Sequence, residues 1–138
     1  MIRIATPGDR ERATEWWKDA VFYQVYPRSF CDTTGNGIGD LPGVISGLDY
    51  LEDLGIDALW ISPFYESPMA DFGYDVSDHC KVDPLFGTNE DAHRLIEAIH
   101  ARGMRIVVDY VPNHTSIAHR WFQEASLDRQ NPFRDYYL

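Results

Sequence analysis

Three short apolar runs alternate with two helical stripes, and this alternation restricts the fold more than any other feature of the chain. Residues 21–26 (VFYQVY) are rich in β-branched and aromatic side chains and stop at Pro27. Residues 58–62 (ALWIS) stop at Pro63, and Ile106, Val107 and Val108 form the third run. Three β-branched residues in a row suit a strand buried on both faces, as in a parallel sheet. Between the first two runs, Val44, Ile45, Leu48, Leu51 and Leu54 give one helical stripe, with Pro42 early in the helix and Gly55 as its stop. Between the second and third, Thr88 and Asp91 open a helix in capping-box fashion. Ala92, Leu95, Ile96 and Ile99 face inward, and Gly103 ends the helix. Strand, helix, strand is the βαβ unit, so parallel strands and right-handed crossovers are expected. A doubly wound sheet and a (β/α)₈ barrel both begin this way. The dinucleotide fingerprint G-x-G-x-x-G does not follow the first strand, and Gly35, Gly37 and Gly39 lack its spacing. No organic cofactor is expected.

The third run breaks into polar chemistry at Asp109, Asn113 and His114, with Pro112 halting its ladder. Ligands of parallel α/β folds bind at the carboxyl ends of strands. The same residues also suit a bland role, Asp109 capping a turn and Asn113-His114 lying in an ordinary loop. Residues 63–87 form a long connection holding Phe64, Tyr65, Phe72, Tyr74 and Phe86 among Asp71, Asp75, Asp78, His79 and Asp83. A connection this long in a compact domain is usually functional. Aromatics mixed with carboxylates suit a polar ring-shaped ligand, although a loop folded on its own aromatics would carry the same residues. Residues 116–127 are a weak helix.

In the segment 32–40 (DTTGNGIGD), oxygen-bearing side chains fall at Asp32, Thr34, Asn36 and Asp40. Alternate oxygens can wrap a hard cation. An EF-hand is rejected, because its third position is Thr34 and its twelfth is Gly43. Two readings stay open, a weaker metal loop and a Gly-rich turn in which Asp40 caps the following helix.

The net charge of -10 argues against a nucleic-acid partner. A hydrophobic share of 44% with 25% charged residues reads as globular. No apolar window is long enough to span a membrane, and no partner in a membrane is expected. Residues 1–9 show no secretory apolar region, and Cys31 and Cys80 read as free thiols, which together point to the cytoplasm.

Four ordered motifs carry a resemblance: VFYQVYPRSF (21–30), DTTGNGIGDLP (32–42), GYDVSD (73–78) with DPLFGT (83–88), and DYVPNH (109–114). Over residues 16–138 the chain resembles the N-terminal part of a glycoside hydrolase family 13 enzyme, the α-amylase family, in its oligo-1,6-glucosidase and α-glucosidase branch. The resemblance implies an α/β fold, the first three strands of a (β/α)₈ TIM barrel. It implies a lead-in over 1–18, the barrel over 19–111, and the start of an inserted second domain over 112–138. The implied activity is hydrolysis or transfer at α-glucosidic bonds with retention, on α-linked gluco-oligosaccharides. Tyr74 resembles the tyrosine that stacks on the glucose ring, and Asp71 the acid that binds the sugar's terminal hydroxyls. His114 resembles the histidine for the 6-hydroxyl, Asp109 the aspartate shaping that subsite, and Asn113 its structural neighbour. Asp32, Thr34, Asn36, Ile38 (through its carbonyl) and Asp40 match the family's calcium loop. Retaining chemistry needs a carboxylate nucleophile and a carboxylic acid about 5 Å apart. The resemblance puts both on strands four and five, and such a barrel takes roughly 250 residues. The chain is therefore expected to be part of a longer product and inactive alone. A non-catalytic amylase-like partner subunit and a small independent binding domain are the competing readings.

Overall fold

The computed structural model describes residues 15–138. Most of the expected lead-in, residues 1–14, lies outside the described residues. Trp16–Lys18 form a 3₁₀ turn, with the Trp16 ring 5.7 Å from Phe22 and under the Arg105 guanidinium.

Strands β1 (Phe22–Val25), β2 (Ala58–Ile61) and a last strand (Arg105–Val108) form one parallel sheet in that order. Gln24, Trp60 and Val107 share a register row, so the alternation of the pleat puts them on one face. The opposite face carries Val25, Leu59 and Ile61, all buried, and packs on the helices. A four-residue turn of helix α1 (Pro27–Phe30) follows β1. Helix α2 (Leu41–Ser46) and helix α3 (Leu48–Asp53) come next and supply buried Leu41, Val44, Leu48 and Leu51. Each such side chain contributes about 1.5–3 kcal/mol by leaving water.

The single helix expected from Pro42 to Leu54 is thus two. The break falls at Gly47, whose N–H donates to the Val44 carbonyl three residues back, and a Cβ there would sit 2.6 Å from Cε1 of Phe30. The expectation of parallel strands throughout also needs correction. Within residues 63–87, β3 (Tyr65–Glu66) and β4 (Asp78–Val82) pair antiparallel, with an irregularity between Tyr65 and Glu66. Helix α4 (Asn89–Ala101) starts in the expected capping box, Thr88 and Asp91 each accepting from the other's backbone N–H. The last strand is β5, and it is not buried on both faces as its β-branched run suggests. Val107 and Val108, which the pleat puts on opposite faces, are 40% and 39% exposed, because among the described residues β5 is the edge of the sheet and pairs only with β2. The weak helix over 116–127 is the shorter α5 (Arg120–Leu127), capped by the His119 imidazole accepting from the Trp121 N–H.

Candidate active site

The polar residues after β5 are placed by two ladders. The Asp109 N–H continues the sheet by donating to the Ile61 carbonyl at 3.2 Å. Seven residues later the Ser116 N–H donates to the Val76 carbonyl at 2.8 Å. Together these lay residues 109–116 against the excursion between β3 and β4.

Asp109 is the hub. Its Oδ1 accepts from the Trp60 indole N–H at 2.7 Å, and its Oδ2 from the Tyr74 hydroxyl at 2.9 Å. Its backbone carbonyl accepts from the Tyr65 hydroxyl at 3.0 Å. Burial, then the hydrogen bond to the Asp109 carboxylate, push the Tyr74 phenol above its ordinary pKa. Burial and the same negative charge do so for Tyr65. Both phenols therefore stay protonated donors at neutral pH.

His114 completes the chain of contacts. Its Nε2 lies 3.2 Å from the Tyr74 carbonyl, which can only accept. Its Nδ1 lies 3.1 Å from Asn113 Nδ2, which can only donate. The two contacts agree on one neutral tautomer, with the proton on Nε2. Tyr74, Asp109, Asn113 and His114 are thus one network, as the sequence places them at one site. Asp71 is not part of it. It is exposed, and among the described residues its carboxylate makes no hydrogen bond or ion pair, while its backbone carbonyl accepts from the Tyr74 N–H at 3.0 Å. Beside the network a cavity of about 560 Å³ opens between the end of β1 and residues 72–74. Gln24, Tyr26, Ser62, Phe72 and Tyr74 are among its walls. A space of that size with aromatic rings and hydroxyl donors suits a small polar ring.

Sequence reasoning missed Trp60 and placed Tyr65 only among the aromatics of the 63–87 connection, without its bond to Asp109. Trp60 had a readable signal, a polar-capable indole alternating with Leu59 and Ile61 one residue before the strand ends.

The segment 32–40 is closed by its own hydrogen bonds. Asp32 accepts from the N–H groups of Thr34, Gly35 and Gly37, and Asn36 from that of Ile38. The Gly37 N–H bond foremost, against some desolvation, holds the Asp32 carboxyl below its ordinary range. Asp40 is buried and caps α2, accepting from the Gly43 N–H at 2.7 Å and from Thr33. No group of three or more His, Cys, Asp or Glu side chains suited to a metal occurs among the described residues. The donor set is all oxygen, which fits a hard cation in kind, with only two carboxylates to supply charge. Cys31 and Cys80 are both free. Among the described residues no helix is long and apolar enough to cross a membrane.

Comparison with known proteins gives the family and the fold. Residues 24–138 match the family model for the alpha amylase catalytic domain. The chain is 60% identical over 125 residues to the oligo-1,6-glucosidase of Heyndrickxia coagulans, covering 91% of this chain and 22% of that protein. It superposes on the alpha-glucosyl transfer enzyme XgtA with a TM-score of 0.85 at 60% identity, over 87% of this chain and 22% of that one. On the trehalulose synthase MutB of Pseudomonas mesoacidophila the TM-score is 0.88 at 55% identity, over 91% and 23%. The chain thus spans about a fifth of the length of these relatives. Its three parallel strands are the opening strands of a (β/α)₈ barrel. The chain belongs to the α-amylase family.

Proposed function

We propose that the whole protein is a retaining glycosidase acting on α-glucosidic bonds of short oligosaccharides, in the manner of an oligo-1,6-glucosidase or α-glucosidase. One observation carries the proposal. A carboxylate, a phenol and an imidazole are tied into one fixed network at the carboxyl end of the sheet, next to a cavity with room for a sugar ring. High identity to an oligo-1,6-glucosidase supports the substrate class.

In this reading Tyr74 stacks on the glucose ring, Asp71 accepts from its terminal hydroxyls, and His114 binds the 6-hydroxyl. Asp109 is already held by two donors, so it shapes the subsite rather than attacking carbon. Neither Asp71 nor Asp109 is assigned as nucleophile or acid, and that pair comes from residues outside 1–138. Residues 112–138 begin an inserted second domain. Calcium, bound weakly by Asp32, Thr34, Asn36, the Ile38 carbonyl and Asp40, is a structural ion. The two free thiols support a reducing cytoplasm.

The test is turnover by the full-length protein on isomaltose and maltose, with product anomers followed by NMR. Release of the α-anomer first supports the proposal. Absence of turnover on both sugars sinks it and favours the non-catalytic partner subunit.

A further inference from the structure

The turn that carries Asp71 is strained, and one carboxylate sits at its centre. Met69 and Phe72 hold φ of 59° and 52°, the only non-glycine residues in the left-handed region among those described, and Gly73 follows at 98°. Such conformations persist only where the surroundings over-determine them. Here the surroundings are Asp75 and its bridge Ser67. Asp75 Oδ1 accepts from the Asp71 N–H at 3.0 Å and from the Ser67 hydroxyl at 2.8 Å. Its Oδ2 accepts from the Ala70 N–H at 3.0 Å. The Ser67 Oγ in turn accepts from the Met69 N–H at 2.9 Å. Every backbone N–H from Met69 to Asp71 is therefore bound to Asp75 or to its bridge. The Ser67 N–H donates to buried Asp83, which anchors the assembly in the body of the fold.

This pattern separates two jobs. Among the described residues Asp71 keeps a carboxylate with no protein partner, while the Asp75 carboxylate is held by protein donors on both oxygens. Burial raises the Asp75 pKa, but the donors from Asp71, Ser67 and Ala70 outweigh it and hold the group below the usual carboxylate range. The brace is ionised at neutral pH.

We infer that Asp75 is the positioning residue of this site, setting the strained 69–73 turn so that Asp71 is aimed at the sugar hydroxyls. The inference rests on the reading of Asp71 given under Proposed function. An amide in place of Asp75 has the same shape but presents an NH₂ to an N–H, so one brace bond becomes a repulsion.

The experiment is a double-mutant cycle in the full-length protein, with p-nitrophenyl α-D-glucoside as substrate and melting followed in parallel. Asp75→Asn is expected to lower kcat/KM about tenfold, and Asp71→Ala about a hundredfold. Combined, they should lose no more than Asp71→Ala alone, within about twofold, since Asp75 acts only through Asp71. Ser67→Ala, which removes one bridge and spares the carboxylate, should cost about threefold and likewise nothing in the Asp71→Ala background. It carries the cycle if Asp75→Asn does not fold. Losses that multiply in the double variants, with Asp71→Ala costly, overturn the role of Asp75 alone. Full activity in Asp71→Ala, or an inactive parent, sinks the sugar-binding reading and this inference with it.

Discussion

His114 Nε2 stands 3.2 Å from the backbone carbonyl of Tyr74, a residue 40 positions earlier in the chain. The contact joins the end of β5 to the excursion between β3 and β4, and it fixes which imidazole nitrogen carries the proton. Asn113 enforces the choice from the other side, by donating to Nδ1. Replacing that amide with a carboxylate reverses the demand. In Asn113→Asp the carboxylate can only accept, so the donor to Nδ1 is lost and the ring proton should move from Nε2 to Nδ1. The ring ¹⁵N chemical shifts of His114 check this, and a parent ring already protonated on Nδ1 would refute the assigned tautomer.

Trp60 holds Asp109 Oδ1 through a bond to a charged acceptor. Trp60→Phe keeps the ring and removes the donor. Bonds to charged groups contribute about 1.5–3 kcal/mol, and the low end applies at this partly exposed site. The expected loss in kcat/KM of the full-length protein is about tenfold, with little change in melting. A variant with parental kinetics shows that Asp109 needs no second donor.

Those two residues also mark what the sequence discloses and what it hides. Asp109, Asn113, His114 and Tyr74 were legible because polar groups stood out at a strand end and in a long connection. The strand order was legible from three apolar runs. Trp60 was overlooked because an indole inside an apolar run reads first as core, although its alternation with Leu59 and Ile61 was there to see and the register puts it beside Gln24 and Val107. The β3–β4 pairing was hidden because β3 is two residues long, too short for any period to show. The tight fit at Gly47 was hidden for another reason, since the Phe30 ring that crowds a Cβ there lies on a different element.

His119 is buried, lies with its ring centroid 4.5 Å from that of Trp121 at a tilt of 52°, and caps α5 with an unprotonated Nδ1. Burial first, then the nearby His79, lower its pKa below 6.5, against an opposing pull from Asp78. A depressed folded-state pKa gives stability that is present above the unfolded value and lost as pH falls through the folded one. The melting temperature should therefore drop as pH falls below about 6.5. His119→Asn keeps a capping acceptor that does not titrate and should flatten that limb. An unchanged slope assigns the acid sensitivity elsewhere.

Calcium at millimolar concentration should raise the melting temperature of the full-length protein relative to a chelator-treated sample, by linkage to the folded state. Asp32→Ala should remove the response. Identical melting curves with and without calcium mean that the loop stands on its hydrogen bonds alone.

Two glycines in α2 and at its end should respond differently to a methyl group. At Gly47 the obstacle is the Phe30 ring, which can turn, and overpacking of this kind costs about 1–3 kcal/mol. At Gly43 a Cβ would overlap the backbone carbonyl of Cys31, which has nowhere to go. Gly43→Ala should melt well below Gly47→Ala, and the reverse order contradicts the packing described.

The Trp60–Asp109 bond has a use outside catalysis. An indole whose N–H points at an anion 2.7 Å away emits under a strong local field, and Asp109 ties that indole to Tyr74, which is a wall of the cavity. Anything that neutralises Asp109, or draws Tyr74 away from it, changes that field. The protein thus carries its own optical gauge of cleft occupancy. It can be read as a fluorescence change that Trp60→Phe abolishes while the other indoles remain as an internal reference.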